Sequence, residues 1–145
     1  MYATVRIECE YSNGASGTGT GFFFDFLVNE ATGTYVPVII TNKHVIDNAI
    51  SGRIILTLAD ENNQPLDTQH FTVRFDNFES AWRKHPDANV DLCAIRIAPI
   101  VNEANRQSKK LFYIPLNKSL VPSQEQIDSF SALEEILMIG YPNGI

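Results

Sequence analysis

The sequence predicts an all-β fold of the barrel or sandwich type, and three observations carry that expectation. Residues 3–10 alternate strictly, with Val5, Ile7 and Cys9 on one face and Thr4, Arg6, Glu8 and Glu10 on the other, the period of two that marks a half-buried strand. Short runs of strand character recur at 22–28, 35–41, 53–59, 71–75, 90–97 and 135–141. Turn-forming clusters such as Ala31-Thr-Gly33 and Glu61-Asn-Asn-Gln-Pro65 separate them.

Taken in order, the first run is the half-buried strand and the second is an aromatic strand entered through glycines. The third, Val36-Pro-Val-Ile-Ile, leads to His44 and a short helical turn over 45–49. Runs 53–59, 71–75 and 90–97 complete the regular pattern. From residue 99 to 131 the pattern is weakest, as expected of a connection between two subdomains. Within it 124–130 reads as a helix that Ser123 caps, with Gln126 in the capping-box position. No internal repeat or low-complexity tract interrupts the chain.

Composition narrows the function class. With 145 residues, 44% of them apolar, the chain can bury a core and is too polar for a membrane protein. A formal charge of −6 argues against a nucleic-acid partner, because phosphate binding depends on clustered Lys and Arg. No run reaches membrane-spanning length and the N-terminus has no secretory-signal pattern, so a soluble, cytoplasmic protein is expected. Two cysteines, Cys9 and Cys93, form neither a disulfide framework nor a metal knuckle, and read as core thiols suited to a reducing compartment.

The stretch Asn13-Gly-Ala-Ser-Gly-Thr-Gly-Thr-Gly-Phe-Phe-Phe invites a phosphate-loop reading. A phosphate loop must open a helix, whereas strand-forming residues follow here, and Gly17-x-Gly19-x-Gly21 misses GxGxxG. A glycine-rich strand entry, with room for a bend or a close backbone approach, is the better reading. Of the three histidines, His70 lies beside a strand and His85 in a Lys-His-Pro-Asp loop, neither with an evident partner. His44 ends a strand and precedes an apolar turn, which sets its imidazole at the rim of the sheet. Asp91 opens Asp-Leu-Cys-Ala-Ile-Arg-Ile, where a carboxylate is costly unless hydrogen-bonded, and a histidine Nδ1–H would satisfy it. A turn cap after Pro86-Asp-Ala-Asn is the alternative role for Asp91.

Gly19-Thr-Gly-Phe-Phe, Ile40-Thr-Asn-Lys-His-Val-Ile, Asp91-Leu-Cys-Ala-Ile-Arg-Ile and Ile139-Gly-Tyr-Pro-Asn-Gly144, in that order, resemble the trypsin-like serine peptidases, particularly their bacterial HtrA-type branch. The resemblance spans most of the chain. It implies a trypsin-like (chymotrypsin-fold) antiparallel β-barrel over 1–100, a connection over 101–133, and the first strand of a second barrel over 134–145. It also implies His44 as general base and Asp91 as the carboxylate that orients it, in acyl transfer to a serine. That serine is expected in a Gly-x-Ser-Gly turn after Ile145; Ser108, Ser119, Ser123, Ser129 and Ser131 lack this glycine frame. Ser16, in Gly14-Ala-Ser-Gly17, has a similar frame but precedes the histidine. The chain is thus expected to be a fragment, inactive alone, of a peptidase acting on protein or peptide substrates without metal or cofactor, and to self-associate through the face a second barrel would cover.

Several features depart from the family pattern or compete with it. Val45 stands where the secreted branch has a cysteine, and no Ile-Val-Gly-Gly activation sequence begins the chain. Asp47 is a rival orienting acid, and His85, Asp87 and Asp91 are a loose candidate metal set. Two other function classes stay open: a non-catalytic barrel serving as a binding or scaffold module, and a small barrel using Phe22, Phe23, Phe24 and Phe26 as a stacking surface. Alternation divides those rings between the two faces of the strand, so they cannot all share one platform.

Overall fold

A meander of three antiparallel strands begins the sheet: β1 (Thr4–Tyr11), β2 (Ser16–Asn29) and β3 (Thr34–Thr41). Gly14, at φ 79°, makes the first turn, where a side chain would be strained, and its N–H donates to the Tyr11 carbonyl over 3.0 Å. After a short helix, α1 (Lys43–Ile46), the strand β4 (Ala49–Ala59) returns to pair with β1. The spatial order β4-β1-β2-β3 is a Greek key. The computed structural model describes residues 2–29, 31–131, 135 and 137–141.

On the β4 side the sheet is extended by β5 (Pro65–Phe75), and on the β3 side by β7 (Cys93–Arg96) and the two-residue β6 (Arg83–Lys84). Helix α2 (Ala98–Arg106) follows, then two short strands: β8 (Lys110–Leu111) on β4 and β9 (Leu116–Asn117), parallel to β2. The fold is therefore mainly antiparallel β, as expected, but the sheet is open: among the described residues no ladder joins β5 to β6 or β7.

One apolar core lies on the inner face. The β1 alternation is realised as predicted, with Val5, Ile7 and Cys9 buried, and Phe23, Ile39, Ile54, Leu56, Phe71, Cys93 and Ile95 add to them from the other long strands and β7. Phe78 and Trp82, from the segment after β5, close one side. Ile7, Ile39 and Ile54 are fully enclosed, each burial stabilising the fold by about 1.5–3 kcal/mol relative to exposure. On the outer face of β1, Glu8 pairs with both Arg6 and Arg53.

The structure corrects several expected elements. The run 90–97 narrows to Cys93–Arg96, because residues 87–92 form tight turns in which Val90 N–H donates to the Asp87 carbonyl (3.2 Å) and Leu92 N–H to that of Val90 (2.9 Å). Helix α2, unexpected from the sequence, carries a helix-compatible Pro99 in its first turn and buries only Ile100 and Ala104, too short a stripe to register as a period. The helical turn expected at 45–49 lies at Lys43–Ile46 and stops before Asn48, which has φ 61°. Helix α3 (Gln124–Asp128) carries the predicted capping box: Gln126 N–H donates to Ser123 Oγ (3.2 Å) and Ser123 N–H to Gln126 Oε1 (2.8 Å). Where a strand was expected over 135–141, residues 135 and 137–141 form none, and Leu137 and Met138 stand exposed. Residue 136 and residues 142–144 of the Gly-Tyr-Pro motif lie outside the described residues.

Candidate active site

His44 owes its position to the end of β3. Thr41, the one buried polar residue among those described, donates its hydroxyl to the Thr20 carbonyl over 2.8 Å and fixes the point at which the chain leaves the sheet. Asn42, Lys43 and His44 then all reach the loop before β7. Asn42 Nδ2 donates to the Asp91 carbonyl and Lys43 Nζ to the Asp87 carbonyl, each over 2.8 Å. His44 takes both oxygens of one carboxylate: its backbone N–H donates to Asp91 Oδ1 (3.1 Å), and its Nδ1 lies 2.5 Å from Asp91 Oδ2.

This geometry dictates a tautomer. An ionised carboxylate only accepts, so Nδ1 carries the proton and the Nε2 of a neutral ring is left as an acceptor. Among the described residues no hydrogen bond reaches Nε2. The hydrogen bond from His44 holds the Asp91 carboxyl below the ordinary aspartate range. The His44 side chain is 72% exposed and that of Asp91 48%, and pairs this wet add little to stability. Exposure also corrects the reason for singling out Asp91: it sits in a loop, and the histidine rather than desolvation accounts for its partner.

Helix α1 is held from below by glycines and thiols. A Cβ at Gly19 would collide with both γ-methyls of Val45, so only glycine lets the turn after His44 sit this close to β2. The Val45 carbonyl accepts from Cys9 Sγ (3.2 Å) and Tyr11 Oη (3.3 Å), while Cys93 Sγ lies 3.6 Å from the carbonyls of Thr41 and Asn42. Burial pushes the thiols up to about 11 for Cys9 and about 12 for Cys93, so they stay protonated as donors rather than nucleophiles. Gly19 is legible in the sequence as a place of close backbone approach, but the thiol and hydroxyl supports of α1 form no motif.

The rival groups are engaged elsewhere. Asp47 pairs with Lys84 (2.6 Å), which also binds Glu79 Oε1 (2.6 Å), and Glu79 Oε2 accepts from the Asn48 N–H (2.8 Å). These two carboxylates raise the Lys84 pKa, and Lys84 in turn lowers that of Glu79. His70 lies on β5 opposite Thr57, and His85 Nδ1 accepts from the Asp87 N–H (3.2 Å). Asp87 Oδ1 accepts from Asn89 N–H and Asp91 faces His44, so His85, Asp87 and Asp91 do not converge; no group of three possible metal ligands forms among the described residues.

Ser16 starts β2 opposite Glu10, and among the described residues no serine hydrogen-bonds His44. Phe23 is buried and stacks on Tyr113 (4.8 Å), while Phe24 and Phe26 meet on the other face (4.9 Å), so the four phenylalanines are divided between faces. No family model, curated protein or solved structure matches the chain.

Proposed function

We propose that this chain supplies the general base and its orienting acid to a serine endopeptidase, with the nucleophilic serine contributed by sequence after Ile145. The observation that carries the proposal is the two-point grip of Asp91 on His44, with Nδ1 at 2.5 Å and the backbone N–H at 3.1 Å, which leaves Nε2 without a hydrogen bond among the described residues. In the Ser-His-Asp mechanism Nε2 takes the serine proton as the hydroxyl attacks the peptide carbonyl, then returns it to the leaving amine. The carboxylate keeps the tautomer and steadies the imidazolium. An exposed pair that contributes little to folding fits that role better than a structural one.

A trypsin-like barrel is the finer fold we infer. The Greek key supports it, as does the curl of the sheet, whose two ends line one cleft: Phe75 from β5 faces Arg83 of β6 and Ala94 and Ile95 of β7 there. Tyr141 N–H donates to Thr20 Oγ1 (2.7 Å), so the chain at Tyr141 reaches the β2 residue whose carbonyl anchors Thr41 at the entry to the His44 turn. The exposed Leu120, Val121, Ile127, Phe130, Leu137 and Met138 suit the expected self-association of the isolated chain.

The test uses the longest product expressed from the native gene. A single fluorophosphonate adduct, lost in His44→Ala, is expected, as is a fall in kcat of about 10⁴ in Asp91→Asn by analogy with the general triad. The 145-residue chain alone should take up no probe. A folded full-length product that forms no adduct would favour the non-catalytic module, with His44 and Asp91 kept only by the fold.

A further inference from the structure

We propose that Tyr11 and Cys9 are positioning residues for His44, acting through the Val45 carbonyl; this rests on the general-base reading above. Helix α1 is a single turn, too short to hold itself, since an isolated turn fixes several dihedrals for one hydrogen bond. Its other hydrogen bonds and ion pairs lie at its ends: the Asp91 loop grips Asn42, Lys43 and His44, and the Glu79–Lys84 pair holds Asp47 and Asn48. Between these ends the Val45 carbonyl takes two side-chain donors from one strand, Cys9 Sγ at 3.2 Å and Tyr11 Oη at 3.3 Å.

The surrounding packing permits this convergence. Tyr11 reaches Val45 by lying across Gly17, where a Cβ would stand 3.1 Å from Oη, and the Val45 methyls fill the space over Gly19. Cys9 and Tyr11 stand two residues apart at the end of β1, with a register irregularity between Glu10 and Tyr11. Burial raises the pKa of both groups, so both remain donors at neutral pH. Fixing the Val45 carbonyl fixes the peptide plane between Val45 and Ile46, one residue beyond His44, and so holds the single turn that carries the ring toward Asp91. Loss of either donor leaves the pair able to form but lets α1 open more often.

The experiment uses NMR on the chain itself and needs no serine. Wild type should show a downfield Nδ1 proton that vanishes in Asp91→Asn; its absence from folded wild type would overturn the general-base reading as well as this one. Given that signal, Tyr11→Phe should speed exchange of the His44 amide and of the Nδ1 proton about five-fold, the worth of one ordinary hydrogen bond, with the core amides of Ile7 and Ile54 unchanged. Cys9→Ala should act in the same direction, and Cys9→Ser, which keeps a donor, should restore protection. Unchanged His44 exchange in folded Tyr11→Phe, equal acceleration of the core amides, or failure of Tyr11→Phe to fold would each overturn the positioning role and leave Tyr11 a stability residue.

Discussion

Replacing Gly19 with alanine should destabilise the chain, although the same change in an ordinary strand stabilises by about 0.4–1 kcal/mol through the unfolded state. The added methyl would fall inside contact distance of both Val45 γ-carbons. Val45 cannot easily give way, because its carbonyl is held by Cys9 and Tyr11 and the next residue, Ile46, is fully enclosed. Overpacking at such sites costs about 1–3 kcal/mol, so a net loss of about 1–2 kcal/mol remains. Urea unfolding followed by the single tryptophan, buried Trp82, would show this as a midpoint lowered by about 0.5–1 M. Val45→Ala removes the methyls that clash. The double variant should therefore be less destabilised than the sum of the single changes, with a coupling of about 1–2 kcal/mol. Gly14→Ala serves as control: at φ 79° with no atom within 4 Å of a Cβ, it should cost about 1 kcal/mol in strain and show no coupling to Val45. Gly19→Ala no less stable than wild type, or a coupling below about 0.5 kcal/mol, would refute the claim that this glycine exists to seat α1.

Two further outcomes concern ionisation. Asp91 and Glu79 both have depressed pKa values in the folded chain, so near and below the ordinary carboxylate value of about 4 the unfolded state binds more protons. Their contribution is present above that value and is lost as the pH falls through the folded pKa; the urea midpoint should drop on acidification from pH 5, less steeply in an Asp91→Asn, Glu79→Gln double variant. An equal slope in both would show that these carboxylates are not linked to folding. Cys9 and Cys93, at about 11 and about 12, should resist iodoacetamide at pH 8 in the native chain and react on unfolding in urea, read by intact mass. Rapid native labelling would contradict their burial.

What the sequence discloses depends on the distance over which the information acts. The β1 alternation and the Ser123 capping box are local, decided by residues within a few positions, and both are realised. Strand-to-helix choices that depend on tertiary contact were not legible: α2 exists because Ile100 and Ala104 reach the core, and two anchors are too few to set a period. The His44–Asp91 contact joins positions 47 apart, and residue chemistry offers Asp91 as a partner for a histidine while leaving a turn cap as its alternative role. The order of motifs in the family resemblance then assigns the two their roles, because it encodes a topology that spacing does not. Asp47, nearer in sequence, is disfavoured as an orienting acid because a helix would hold it beside His44, and its pairing with Lys84, which comes through β6, has no signal in the chain.

The glycine stretch shows how a local pattern can be read correctly for its class and still hide its purpose. A phosphate cradle would need the N–H groups of these glycines free and convergent. Here Gly17, Gly19 and Gly21 pair in the ladder with Cys9, Ile7 and Val5, the inward-facing residues of β1. The spacing of two therefore puts all three glycines on the inner face, and a different element fills the space above each: Tyr11 over Gly17, Val45 over Gly19, Ile39 over Gly21. Two of those three occupants meet at α1. The same missing side chains that weaken β2 as a strand thus let β1 and β2 together form the floor beneath His44, so the glycines are tied to the proposed base through packing and not through any ligand they could bind themselves.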